Sequence, residues 1–171
     1  MKKQVKFLVL SRREVETDWV QNKIDEPHIL ISIFDDDGKP NLPDNKYRKD
    51  TLYLMFHDID VRHIDTLNSR EDRNEYVLFN EDFARNILNF VEKHIKDIDL
   101  IVVHCHAGVC RSVACASALS KILNNEDDKI FKSGVPNILV YTTLLNKFWL
   151  SEYQKLYPKM NTISFDNIDM F

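Results

Sequence analysis

The segment Leu100-Ile-Val-Val-His-Cys-His-Ala-Gly-Val-Cys-Arg-Ser112 constrains this chain more than any other stretch. Leu100 to Val103 are uniformly apolar and read as a buried strand. A Cys, five further residues and an Arg follow, and Ser112 opens a helix rich in Ala and Ser that runs to about Asn124. A strand passing through a tight loop into a helix gathers loop N–H groups beside the positive end of the helix, where an anion is favoured. Cys105 then stands at the start of the loop. The N–H groups of His106, Ala107, Gly108, Val109, Cys110 and Arg111 converge on the anion, and the planar guanidinium of Arg111 matches two phosphate oxygens. The bland alternative makes Cys105 a buried structural thiol, which leaves Arg111 without an obvious partner at the head of an apolar helix.

The string His104-Cys105 through Arg111-Ser112, with Gly108 inside it, resembles the His-Cys-x5-Arg-Ser/Thr signature of the cysteine-based protein tyrosine and dual-specificity phosphatases. The whole-chain likeness is to the dual-specificity type and covers roughly Ile29 to Tyr157. It implies phosphomonoester hydrolysis through a cysteinyl-phosphate, with Cys105 as nucleophile and its thiolate favoured by loop amides and helix end. Arg111 and the loop would stabilise the transferred phosphoryl group. Ser112 would hydrogen-bond the sulfur as it leaves, although a helix N-cap is the plain alternative. The general acid of such enzymes is an Asp on a loop after an upstream strand. Asp58 fits, just after Leu52 to Phe56; Asp60 is its rival, and Asp65 and Asp72 are distant outsiders. His104 is expected to orient the loop or to be a plain buried histidine, and His106 to tune substrate fit. His57 is either a rim residue or inert. Asn137, after Pro136, is expected to brace the site, or only to cap the last helix.

Cys110 gives the loop a Cys-x4-Cys-Arg-Ser order that also resembles the low-molecular-weight tyrosine phosphatases, but those carry the loop at the extreme N-terminus with a C-terminal Asp-Pro, and no Asp-Pro occurs here. Two thiols on one tight loop suggest a reversible Cys105–Cys110 disulfide under oxidation; a small filler role for Cys110 is the alternative. Cys115 reads as core. Competing functions are a phosphate-binding pseudophosphatase, an arsenate reductase and a sulfurtransferase. No spacing resembles a zinc site, so neither metal nor other cofactor is expected.

Elsewhere, apolar runs Val5–Leu10, His28–Phe34 and Thr51–Phe56 read as strands. Ser11 to Lys23 is polar and reads as helical, with Ser11 as a candidate cap. Lys39 to Asp50 reads as a loop, and Val61 to Val77 as a charged surface loop. Asn80 opens a helix whose buried face is Phe83, Ile87, Phe90, Val91 and Ile95. Asp127 to Pro136 is a connection. The last helix carries Tyr141, Leu145, Phe148, Trp149 and Leu156 on one face and stops at Pro158, and the tail from about residue 159 is irregular. Strands alternating with helices predict an α/β fold, a single domain over residues 1–171 with a central, mainly parallel sheet flanked by helices. The net charge of −4 argues against a nucleic-acid partner, and no apolar stretch is long enough for a membrane span. Three cysteines make no disulfide framework and no signal peptide is evident, so a cytoplasmic setting is expected. The partner is then a phosphorylated protein or a small phosphomonoester.

Overall fold

The computed structural model describes residues 4–61 and 76–156. Most of the loop read over Val61–Val77, with Asp65 and Asp72, lies outside the described residues, as does the tail beyond Leu156. Four strands, β1 (Lys6–Ser11), β2 (His28–Phe34), β3 (Arg48–Met55) and β4 (Leu100–Cys105), form one sheet in the order β1-β4-β2-β3. Every pairing is parallel. β2 and β4 occupy the centre and are buried along their whole length, which is why their sequences are apolar without alternation.

The two faces nevertheless divide by parity, because successive side chains of a strand point to opposite sides. Ile29, Ile31, Ile33, Ile101 and Val103 join the larger core with Ile87, Val91, Leu119, Val140 and Leu144. These last come from helices α3 (Glu81–His94), α4 (Arg111–Asn124) and α6 (Ile138–Leu156). Leu30, Leu100 and Val102 face the other way, against Leu10, Val15 and Ile24. Val15 closes the short α1 (Arg12–Val15), which α2 (Asp18–Gln21) follows. Each fully buried Leu or Ile contributes about 1.5–3 kcal/mol.

α1 begins where β1 stops because Ser11 and Glu14 form a reciprocal capping box. The segment Ser11–Lys23 is thus two single-turn helices and not one. β3 starts at Arg48, inside the expected loop, and ends at Met55, leaving Phe56 as the buried residue just beyond it. A fifth helix, α5 (Asp128–Phe131), interrupts the connection before α6. α4 is buried from Arg111 to Ser120, and its Ala114, Ala116, Ser117 and Ala118 allow close approach to the sheet.

The expected face of α6 turns inward only in part: Tyr141 and Leu145 pack half-buried against the larger core. The buried residues are Val140 and Leu144, while Trp149 is 57% and Leu156 74% exposed. Thr142, Thr143, Asn146 and Lys147 make one side of α6 polar, but the apolar remainder is too broad to name the inward stripe; contact with α3 and α4 does.

Candidate active site

Parallel pairing brings all four strand ends to one edge. The register places Ser11 of β1 beside Cys105 of β4, and Ser32 of β2 beside His104. The loop His106–Cys110 leaves that edge and turns directly into α4, as ligand-binding loops of open α/β sheets do.

Cys105 is 1% exposed and its Sγ lies 3.1 Å from Ser112 Oγ. The N-cap position of α4 falls on Cys110, so Ser112 is not the cap that one reading made it; its hydroxyl is directed at the sulfur. Three of the loop carbonyls are held by neighbouring backbone. Arg12 N–H donates to His106 O at 3.0 Å, and Val135 N–H to Val109 O at 3.0 Å. Ala114 and Asn137 N–H both donate to Cys110 O, at 2.9 and 3.4 Å. Among the described residues, no acceptor meets the N–H groups of His106 to Cys110. With these three carbonyls tied back, those donors are left for an anion.

Gly108 has φ of +74°, and a Cβ there would come within 2.8 Å of Ser11 N, so both backbone and space exclude a side chain. Gly134 meets a similar limit from the far side: its Cβ would sit 2.4 Å from Val109 O.

Arg111 is 3% exposed. Its Nη1 donates to Asp35 Oδ1 at 2.5 Å and to Phe56 O at 2.7 Å, and Nη2 donates to Asp35 Oδ2 at 2.9 Å. Burial works against its charge, but the Asp35 carboxylate outweighs this and raises its pKa above the ordinary arginine value.

The two candidate acids separate sharply. Asp58 is exposed, with Oδ2 3.9 Å from Arg111 Nε and Oδ1 accepting from Asn137 Nδ2 at 2.9 Å. Asp60 is 3% exposed and its Oδ2 accepts from Ile138 N–H at 2.9 Å, at the first turn of α6. Asn137 fills both roles read for it: its Oδ1 accepts from Val140 N–H as a helix cap, while its Nδ2 also reaches Ile59 O. His57 takes Val77 N–H on Nδ1 at 2.9 Å and faces Asp36 through Nε2 at 3.1 Å. His106 Nδ1 stands 3.5 Å from Asp37, which also pairs with Arg12. His104 is fully buried, with Nε2 2.8 Å from Ser32 Oγ.

All three cysteines are free. Burial and the neighbouring Asp58 push the Cys110 thiol up to about 11, and burial pushes Cys115 up to about 12. Among the described residues, no group of three or more His, Cys, Asp or Glu is gathered to hold a metal, and no helix is long and apolar enough to cross a membrane.

No protein-family model matches this sequence, and no curated protein matches it. Solved structures do. Human DUSP28 superposes with a TM-score of 0.55 at 11% identity, over 86% of this chain and 94% of that one. The human tyrosine phosphatase-like serine/threonine/tyrosine-interacting protein gives 0.53 at 17% identity, over 89% and 93%. Tk-PTP in its active form gives 0.50 at 14%, over 88% and 92%. The chain has the fold of the dual-specificity phosphatases. At such identities the likeness is one of fold, and the chemistry rests on the residues themselves.

Within that phosphatase-like fold, sequence reasoning passed over Asp35. The run Asp35-Asp36-Asp37-Gly38 directly follows the strand His28–Phe34 and in sequence resembles a plain strand-ending turn. Its three carboxylates instead engage Arg111, His57 and the Arg12–His106 pair. The available signal was a carboxylate at the carboxyl end of an apolar strand, but sequence does not give the order that sets β2 beside β4.

Proposed function

We propose that this protein is a phosphomonoester hydrolase working through a cysteinyl-phosphate at Cys105. The observation that carries the reading is a loop with three of its carbonyls, those of His106, Val109 and Cys110, tied to the surrounding backbone, while among the described residues its N–H groups meet no acceptor beside a buried thiol and a buried guanidinium. Cys105 Sγ attacks phosphorus as the thiolate, and the bond from phosphorus to the ester oxygen breaks. Asp58, in its acid form, gives its proton to the departing oxygen. Loop amides and Arg111 hold the equatorial oxygens in which charge is spread. In the second step water attacks phosphorus and Asp58 takes the water's proton. The P–S bond then breaks, and inorganic phosphate leaves. Ser112 donates a hydrogen bond to the sulfur as it regains its charge. Asp60 is assigned to structure and not to proton transfer, because its carboxylate is buried against α6. The substrate class is phosphorylated protein side chains or small phosphomonoesters, as the phosphatase-like neighbours suggest. The loop carries no lysine beside its single arginine, which disfavours multiply phosphorylated headgroups.

The test is hydrolysis of 4-nitrophenyl phosphate by reduced protein from pH 4 to 9. Turnover in the wild type that is absent in Cys105→Ser is the expected result. An inactive wild type that still binds tungstate would instead make the protein a phosphate-binding module.

A further inference from the structure

We infer that Asp35 is the positioning residue of the phosphate site: it occupies one fork of Arg111 and so presents the other fork to the substrate. The inference rests on the proposed phosphatase reading and adds a residue to it.

A guanidinium has five N–H groups, two on each Nη and one on Nε. Both on Nη1 are used, by Asp35 Oδ1 and Phe56 O, and one on Nη2 is used by Asp35 Oδ2. What remains is the second Nη2 hydrogen and the Nε hydrogen. These two lie parallel on one edge of the plane, spaced for two oxygens of one phosphate. Nε is buried and, among the described residues, without a hydrogen-bond partner; Asp58 Oδ2 at 3.9 Å is too far to accept. A buried unpaired donor is costly unless something fills it, so its orientation needs a holder. Asp35 is that holder. It grips from the end of β2, the strand paired with the nucleophile strand, so the fork and Cys105 share one rigid frame. Phe56 O, just past β3, fixes the same guanidinium from a third strand. Without the carboxylate, a four-bond side chain would be free to rotate its edge off the phosphate.

The expected consequence is a coupling that runs through Arg111 alone. Tungstate binding is measured by calorimetry for the wild type, Asp35→Asn, Arg111→Ala and the double variant. Asp35→Asn should weaken tungstate on the order of tenfold in the wild type, as a misaimed bidentate pair does. It should add less than about twofold in the Arg111→Ala background, since noncoupled changes add and coupled ones do not. Equal weakening in both backgrounds, or tighter binding in Asp35→Asn, overturns the inference. Should Asp35→Asn not fold, Asp35→Glu keeps the ion pair but displaces the fork by about the length of a methylene. It should lower kcat for 4-nitrophenyl phosphate on the order of tenfold or more with melting unchanged, and wild-type turnover in it would overturn the inference. Wild-type protein that neither binds tungstate nor turns over substrate would fail the parent reading itself, and the inference with it.

Discussion

At the scale of single residues, burial separates two carboxylates that spacing cannot. Asp58 and Asp60 follow the same strand two positions apart, and either serves a sequence argument equally. In the fold Asp60 is enclosed and tied to the backbone of Ile138. Asp60→Ala should therefore cost about 1–3 kcal/mol of stability, by leaving that N–H unpaired, read as a lower urea midpoint. Asp58→Asn should leave the midpoint nearly unchanged and lower kcat about 10²–10⁴-fold on esters with poor leaving groups, with far less effect on 4-nitrophenol, which leaves without a proton. A stability loss in Asp58→Asn without a leaving-group trend would reverse the assignment. The thiols differ as clearly. Cys110, raised to about 11 by burial and Asp58, stays protonated at neutral pH. Iodoacetamide at pH 7 should thus spare Cys110, with labelling rising only as pH climbs toward 11, followed by peptide mapping. A protonated Cys110 would also be a slow partner for an oxidised Cys105. What was legible here is the motif itself, Cys105 to Ser112, because its chemistry is local. Asp35 was not, since its meaning depends on which strand lies beside which.

At the scale of elements, the strands and α3 were readable because burial on both faces, or a capped amphipathic period, leaves a plain mark; Asn80 caps α3 through the N–H groups of Asp82 and Phe83 as its position suggested. α6 was legible only in part, because its apolar face is broad and its neighbours decide which section of it, at Val140 and Leu144, is buried deepest. Leu144→Ala should cost about 2–5 kcal/mol, whereas Trp149→Ala should change stability by under about 1 kcal/mol; comparable losses in denaturant titrations would mean Trp149 is covered after all. The connection into α6 also clamps the loop His106–Cys110 through Val135 and Asn137. Gly134→Ala places a methyl 2.4 Å from Val109 O, so the loop or the connection must shift. A displacement of about 1 Å at such a site costs up to about 10²-fold. Lower kcat/KM, with helix content by circular dichroism retained, is the expected signature.

For the whole molecule, the central position of β4 ties acid stability to His104. Its strand lies between β1 and β2 in a sheet covered on both faces, and the ring is fully buried with Nε2 against Ser32 Oγ. Burial lowers its pKa to about 4, the main cause being loss of hydration; the charged groups acting on it are Arg12, Glu16 and Arg111, besides the backbone of Cys105. The unfolded chain holds its proton up to about pH 6.5. Between pH 6.5 and 4 the unfolded state therefore binds a proton that the native state refuses, and stability rises with pH across that window. The contribution is complete above pH 6.5, falls by about 3 kcal/mol on descending to pH 4, and changes no further below it. Such a loss is a large share of the about 5–15 kcal/mol that holds a domain of this kind together. Because β4 pairs with both neighbours and ends in Cys105, the sheet and the site should fail together and not in turn. Urea titrations at pH 7.5, 5.5 and 4.2 would show this as a falling midpoint in the wild type. His104→Gln keeps a buried amide near Ser32 without a titrating ring, and so should start less stable but decline less between pH 7.5 and 4.2. Parallel declines in the two proteins would assign the acid sensitivity to groups other than His104 and leave His104 a passive part of the core.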